Sequence, residues 1–337
     1  MLRNSSILRN AIGLTIAALI AQPLAGCSGA TPALPAGNAT GPSATSQLSS
    51  AIAPRVRPDD VDPYFVTWTG NCTVYEVYEG VPPNGVWRFE YIPYGCDPAE
   101  GTNSGGTYEK LTKSWLVGQS TSAIAIYNPK WKEVGTLTEG LTGAQVGIAT
   151  DLKGDIFASN FPSNTLTEYA RGGTSPIASY TDTNLSSLSY VTVDKNDNVY
   201  VSGQSEGSGG LEVDELSTGS SQFSRIKTIT GITGAGIVIA HTGKTLWVCD
   251  EGNGSKGTIS AYTIPGFKRS VQFAYSGSDT GIAVAAAGNQ VYAVDNVAYG
   301  SEYSVSLVIY DAKTGKVINA SPGITTARPA MGISQKP

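Results

Sequence analysis

A recurring strand–turn–strand unit constrains the fold of this chain more than any other feature. Each copy has an apolar strand, a short turn rich in Gly, Asn or Asp, and a second apolar strand. One clear copy runs from Val191 to Ser202, and another runs from Gly147 to Ser159. Self-similarity of this kind predicts a repeat architecture, although 337 residues would be long enough for two unrelated domains.

The second strand of each unit marks the repeat. Its central residues are separated by 41 to 51 positions, and the copies are Tyr64–Trp68, Trp115–Gly118, Ile156–Ser159, Val199–Ser202, Leu246–Cys249 and Val291–Val294. These strands are apolar almost continuously and do not alternate. That pattern is expected when both faces of a sheet are covered by neighbouring elements.

Two further strands follow each marker. A third strand often ends in Tyr three residues after an aliphatic residue, as in Leu166 and Tyr169, and a fourth is more polar, as in Arg225–Ile229. An outermost, solvent-facing strand accounts for those charges. Four strands per period of about 45 residues predict an all-β fold, a six-bladed β-propeller of four-stranded antiparallel blades.

The two ends of the repeat region predict how the ring closes. The chain enters at a second strand near Tyr64, and residues 330–334 have the pattern of a first strand. The C-terminal strand should therefore complete the first blade, which removes an open sheet edge. The predicted propeller domain is 61–337.

The N-terminal region has the pattern of an export signal. Residues 1–26 carry Arg3 and Arg9 before a short apolar core, and Leu24-Ala25-Gly26-Cys27 resembles the lipobox of bacterial lipoproteins. The resemblance implies cleavage before Cys27 and lipidation of that residue. The alternative is an ordinary signal peptide with a chance cysteine.

Residues 27–60 are rich in Pro, Ser, Thr and Ala, which predicts a disordered tether. With the lipid, this tether would anchor an exported protein to the cell envelope. The expected location is the outer membrane if the host has one, on its periplasmic or its outer surface.

The repeat itself resembles known propellers. The pattern Gly-Ile-Ala-x-Asp from Gly147 to Asp151, followed by a short turn and Asp155-Ile156-Phe157-Ala158, is similar to NHL-type and YVTN-type bacterial propellers. Related architectures include gluconolactonase-like hydrolases and a streptogramin lyase. The lone histidine, His241, is predicted in a turn, which disfavours a histidine acid/base and the lyase.

The remaining cysteines have separate predicted roles. Cys72 and Cys96 lie near adjacent ends of two antiparallel strands, so an exported chain could join them in a disulfide. The alternative is two thiols in a loop. Cys249 lies in a marker strand and is expected to be a small core residue.

Five side chains directly after marker strands are the candidate ligand-binding residues of the inner rim. They are Asn160, Asp250, Glu251, Asp295 and Asn296. The connections 203–210, 250–257 and 295–304, with the insert 94–105, are long and should lie on the same face. Oxygen ligands of this type could hold Ca²⁺, and the alternative is that these residues cap turns.

Other carboxylate pairs are weak candidates for catalysis. Asp214 and Glu215 are adjacent on an alternating strand, so their side chains point to opposite faces and do not form a dyad.

The predicted function is binding. A net charge of −5 without a basic cluster argues against nucleic acid as a partner. The chain is predicted to be a monomeric, lipid-anchored platform for a protein, peptide or glycan, without a cofactor. The alternatives are a Ca-dependent hydrolase or lactonase-like enzyme and a structural subunit of an envelope assembly.

Overall fold

In the described part of the computed structural model, the regular secondary structure consists of β-strands. The structure describes residues 64–69, 73–78, 88–93, 103–119, 121–206, 211–229, 237–242, 244–250, 258–274, 278–284, 290–299, 302–320, 324–326 and 330–336. They all belong to the compact unit Arg57–Pro337. No helix in this part of the chain has the length and apolar character needed to cross a membrane.

The strands form antiparallel sheets that follow one another along the chain. The first sheet contains β1 (Tyr64–Thr69), β2 (Thr73–Tyr78) and β3 (Arg88–Pro93). The second contains β4 (Asn103–Glu109), β5 (Ser114–Gln119), β6 (Ala123–Tyr127) and β7 (Glu133–Leu137). The third contains β8 (Ile148–Thr150), β9 (Ile156–Ser159), β10 (Thr165–Tyr169) and β11 (Pro176–Thr181).

The later sheets repeat this order. The fourth contains β12 (Leu185–Val193), β13 (Val199–Ser205), β14 (Leu211–Leu216) and β15 (Ser224–Ile229). The fifth contains β16 (Ile237–Thr242), β17 (Thr245–Asp250), β18 (Thr258–Thr263) and β19 (Arg269–Ala274). The last contains β20 (Ser278–Val284), β21 (Gln290–Tyr299), β22 (Glu302–Asp311), β23 (Val317–Ala320) and β24 (Ile324–Thr326), and the final strand is β25 (Ala330–Lys336).

The predicted order of strands within a sheet is confirmed. Each marker strand is second, flanked by the first and third strands of its unit, as in β4-β5-β6-β7. The predicted closure is also confirmed, because β25 pairs antiparallel with β1, Tyr64 opposite Lys336 and Thr67 opposite Ile333. The first sheet therefore joins strands from both ends of the described region.

The predicted number of four-stranded blades is wrong. Five sheets have four strands, and the last sheet has five because β24 pairs with β22. The reason is the length of the β21–β22 hairpin, in which both strands have 10 residues. Its far end, Tyr303 to Val305, extends past the other strands and pairs with Ile324 to Thr326. Residues 295–304, expected as a loop, mostly form this hairpin.

The innermost strands form a closed cycle. β25 contacts β4, which contacts β8, and contacts continue through β12, β16 and β20 back to β25. Neighbouring sheets pack face to face, as the continuous apolar markers predicted. On β13, Val199 and Val201 join a buried cluster with the third sheet, and Tyr200 joins one with the fifth. Cys249 is buried in the cluster between the fifth and last sheets, so its predicted core position is confirmed.

Acidic residues shape the turns between first and second strands. The Asp151 Oδ1 atom accepts hydrogen bonds from the Lys153 and Asp155 N–H groups, both at 2.9 Å. Glu109 has the same role after β4, where its carboxylate accepts the N–H groups of Leu111 and Thr112. These bonds explain why an acidic residue ends several first strands.

The structure describes His241 but not Cys27, Cys72 or Cys96. His241 lies within β16 opposite Leu246, so the prediction that it lies in a turn is wrong. The strand extends past Ala240 because six residues of β16 pair in register with β17. Cys27, Cys72 and Cys96 lie outside the described residues, and their lipidation and disulfide remain predictions.

The direction of the strands divides the connections between two faces of the ring. Successive strands of a sheet are antiparallel, so their ends alternate between the two faces. Connections from second to third strands and from one sheet to the next share one face, here called the loop face. The turns from first to second and from third to fourth strands share the other face, here called the turn face.

Candidate functional site

Asn160, the first predicted rim residue, is bonded within the fold. It is buried, and its Oδ1 atom accepts the Thr142 N–H at 3.0 Å. Its amide nitrogen donates to the hydroxyls of Thr165 at 3.1 Å and Thr167 at 2.9 Å. This amide therefore fixes the β9–β10 connection on the loop face.

The other predicted rim residues are described only through the backbone or not at all. Asp250 is the last residue of β17, and Asp295 and Asn296 pair with Ser306 and Val305 inside the long hairpin. Glu251 lies outside the described residues. A ligand-binding role for this set remains a prediction.

A different set of polar residues lies beneath the loop face, between the third and fourth sheets. Asp182, Glu212 and Asp214 each have a solvent-exposed fraction of 0%. Asp182 follows β11 in the connection to the fourth sheet, and Glu212 and Asp214 lie near the start of β14. Because these two alternate with Val213 along a strand, their side chains share one face.

The connection that contains Asp182 is held to both the third and the fourth sheet by hydrogen bonds. On the third sheet, the Asp182 N–H donates to the Asn164 carbonyl at 2.9 Å, and the Asn164 amide donates to the Asp182 carbonyl at 2.8 Å. On the fourth sheet, the Asn184 amide donates to Asp214 Oδ2 at 2.6 Å. The Glu206 N–H also donates to the Asn184 carbonyl at 2.8 Å.

The carboxyl groups of Asp182 and Asp214 are close enough to change each other's pKa. Burial raises the pKa of Asp214 to about 7, against the Asn184 amide bond, which lowers it, and with support from the negative charges of Asp182 and Glu212. Burial also raises the pKa of Asp182, while bonds from Asn184 and from Asp214 lower it. Both pKa values are thus raised, so the pair retains a proton at a pH where an ordinary aspartate is ionised.

Glu212 interacts with a cation from the neighbouring strand. Arg225 on β15 lies opposite Asp214, and its Nε atom is 2.6 Å from Glu212 Oε1. Half of the arginine side chain is exposed, whereas the glutamate is buried. Three buried carboxyl groups thus lie together in this cluster, and the mutual repulsion of their charges favours a bound proton.

The burial of this cluster limits its chemistry. A carboxyl pair that shares a proton could serve as an acid/base pair only if it reached a substrate, and these side chains have no exposed surface. The geometry suits retention of a proton and attachment of a loop. Within the described residues, no group of three or more His, Cys, Asp or Glu side chains has the arrangement of a metal site.

This cluster was not predicted, because Asp214 was considered only with its neighbour Glu215. The sequence contained one sign of it: Glu212 and Asp214 are two residues apart, so on a strand both carboxyl groups lie on one face. Asp182 lies in the connection that also contains Asn184, whose bonded partner Asp214 is 30 residues further along the chain. No local pattern predicts such a contact.

A small cleft of about 100 Å³ lies on the turn face between the same two sheets. Its base includes Phe157, Val199 and Leu216. At its edge the Tyr180 hydroxyl donates to Glu168 Oε2 at 2.6 Å, and the Lys153 ammonium lies 3.6 Å from Asp197. The polar groups named here are thus bonded to each other.

Comparison with known proteins identifies the fold. No protein-family model matches this chain, and no curated protein matches it in sequence. A chain from the crystal structure of a nidogen/laminin complex is similar with a TM-score of 0.62 and 13% identity, over 81% of this chain and 98% of that one.

Two other solved structures are less similar. Hydrazine synthase from Kuenenia stuttgartiensis gives a TM-score of 0.52 and 12% identity, over 66% of this chain and 64% of that one. The Dos1 propeller gives a TM-score of 0.45 and 11% identity, over 66% of this chain and 58% of that one. At these identities the likeness shows the β-propeller fold and no activity.

Proposed function

We propose that this protein is an exported, lipid-anchored β-propeller that binds a protein, peptide or glycan on its loop face. The observation that carries the proposal is the gathering of the between-sheet and second-to-third connections on that one face of a closed ring. A rigid scaffold with loops collected at one rim is the usual arrangement of a binding platform. The matched chain of the nidogen/laminin complex, a propeller seen in a protein complex, is consistent with this use of the fold.

The proposed anchor rests on the N-terminal sequence. The lipobox-like residues 24–27 would place a lipid on Cys27, and the tether 27–60 would separate the ring from the membrane. Each buried methylene of an acyl chain contributes about 0.8 kcal/mol to membrane binding. Treatment of cells with labelled fatty acid tests the anchor, since Cys27→Ser should abolish both labelling and membrane fractionation.

The binding proposal is tested by capture from the envelope fraction with the full chain. Thr183 is exposed on the loop face, and Leu152 is exposed on the turn face. We expect Thr183→Arg to reduce capture of a partner and Leu152→Arg, the matched control, to leave it unchanged. Equal loss in both variants, or loss only with Leu152→Arg, would reject the loop face as the binding surface.

A further inference from the structure

The connection from the third to the fourth sheet is attached at both ends by neutral hydrogen bonds. Asn164 and Asp182 exchange two bonds on the side of the third sheet. The Asn184 carbonyl accepts the Glu206 N–H on the side of the fourth. Between these attachments, the Asp182 carboxyl interacts with the Asp214 carboxyl of β14, beside the Asn184 amide that donates to Asp214 Oδ2. A proton shared by the two carboxyl groups therefore adds a second contact between the middle of the connection and β14.

Two carboxyl oxygens at this contact have no donor from elsewhere in the described chain. Asp182 Oδ1 accepts the Asn184 N–H at 2.9 Å, and Asp214 Oδ2 accepts the Asn184 amide. The remaining atoms, Asp182 Oδ2 and Asp214 Oδ1, are buried and lack any such partner. Two carboxylates cannot donate to each other, so a hydrogen bond between them requires a proton on one.

The charged groups around the pair favour that proton. Glu212 adds a negative charge from β14 itself, and Arg225 reaches in from β15 to Glu212. The neutral Asn184 amide donates to the Asp214 carboxyl, and from the third sheet the neutral Asn164 amide donates to the Asp182 backbone carbonyl. Loss of the proton would bring the negative charges of Asp182 and Asp214 together beside buried Glu212, an arrangement that is costly in a low-dielectric environment.

We propose that the Asp182–Asp214 pair binds one proton and acts as a latch, which together with the Asn184 amide holds the connection Asp182–Asn184 against β14 and weakens that attachment when the proton leaves for solvent. The latch lies beneath the loop face, so its state changes the freedom of the loops there. It rests on the fold and does not depend on the identity of the proposed ligand.

Amide hydrogen exchange of the full chain tests the latch without any ligand. The probes are peptides that cover residues 182–188 and 204–214, with rates corrected for the intrinsic pH dependence of exchange. We expect the opening of these segments to increase as pH rises from mildly acidic to neutral, by up to about tenfold per pH unit for one released proton, and then to level off.

Three variants separate the latch from general effects of pH. In Asp214→Asn, the new amide can donate to Asp182 while its oxygen still accepts from Asn184, so opening should be independent of pH. Asp182→Asn tests the same contact from the other side. Glu215→Gln, a neighbour of Asp214 on the opposite face of β14, should behave as the wild type. Wild-type opening without pH dependence, or the same pH dependence in both Asn variants, would overturn the proposal.

Infrared spectroscopy of the wild-type protein provides a measurement that needs no variant. A protonated carboxyl group has a carbonyl stretch distinct from that of a carboxylate. We expect such a band at pH 6, where ordinary Asp and Glu side chains are ionised. Absence of the band at that pH would contradict a shared proton even if both Asn variants failed to fold.

Discussion

At the scale of single residues, glycine occupies positions next to the loop face where two backbone segments approach each other closely. A Cβ atom on Gly203 would lie 2.0 Å from the Ser187 carbonyl oxygen, and one on Gly118 would lie 2.1 Å from the Gln145 carbonyl oxygen. Both glycines are in second strands, next to the start of the innermost strands. The absence of a side chain is therefore a packing requirement at these positions.

Gly203→Ala should destabilise the protein by more than about 1 kcal/mol, because the added methyl group overlaps backbone that cannot rotate away. Gly135→Ala is the matched control in β7, where a Cβ atom would lie 3.7 Å from the nearest side chain. Denaturant unfolding measures both variants. Equal stability of the two would contradict the packing that the structure shows at Gly203.

The raised pKa of Asp214 predicts how the stability of the protein changes with pH. Its pKa is raised from 3.8 to about 7 in the folded protein, so between these values the folded chain keeps a proton that the unfolded chain has released. The free energy of unfolding contributed by this group is fully present below pH 3.8 and is lost as pH rises to about 7.

The difference in unfolding free energy between wild type and Asp214→Asn isolates this contribution. We expect the wild type to lose stability relative to the variant as pH increases from 4 to 7, measured by urea unfolding at each pH. A difference that stays constant, or one that grows in favour of the wild type, would show that the carboxyl group is ionised in the folded state.

At the scale of strands and turns, the sequence predicted most of what the structure shows. Marker strands, third strands ending in residues such as Tyr169, and the polar fourth strand β15 were all predictable, because burial on both faces selects continuous apolar runs. The long hairpin was not. Its strands β21 and β22 continue through Asp295, Asn296 and Ser304, which are residue types common in loops. The pairing of β22 with β24 is a contact with a strand outside the hairpin.

Two ion pairs in the third and fourth sheets should differ in how much they stabilise the protein. Arg225→Met removes the cation beside the buried Glu212, and hydrogen bonds to charged groups contribute about 1.5–3 kcal/mol. Lys153→Met removes a cation that is 68% exposed and 3.6 Å from Asp197, so its cost should be below about 1 kcal/mol.

Thermal unfolding of these two variants and of Arg225→Met with Glu212→Gln checks the comparison. Removing the buried charge should recover part of the stability lost with Arg225. If Lys153→Met were as destabilising as Arg225→Met, burial of Glu212 would not control the strength of the pair.

At the scale of the whole molecule, closure of the ring depends on the last described strand. β25 pairs with β1 in the first sheet and also contacts β4 and β20 of the two neighbouring sheets. The sequence predicted this pairing, because the chain enters at a second strand near Tyr64 and residues 330–334 have the pattern of a first strand. It could not predict the buried carboxyl cluster, which depends on residues from two sheets meeting in three dimensions.

A chain of residues 61–329 should therefore lose soluble yield and cooperative unfolding relative to 61–337, because β1 would present an unpaired edge. The matched control places residues 330–337 before residue 61 through a short turn, which the antiparallel pairing of β25 with β1 permits. This permuted chain should recover the wild-type unfolding transition. Cooperative unfolding of 61–329 at the wild-type midpoint would show that closure is dispensable.

The binding role of the loop face is tested most directly by photo-cross-linking in intact cells. A cross-linking amino acid replaces exposed Glu206 on the loop face or exposed Lys195 on the turn face, in the otherwise unchanged full chain. If the loop face binds a partner, we expect a discrete adduct from position 206 and none from position 195. Adducts of equal yield from both positions, or an adduct from position 195 alone, would contradict it.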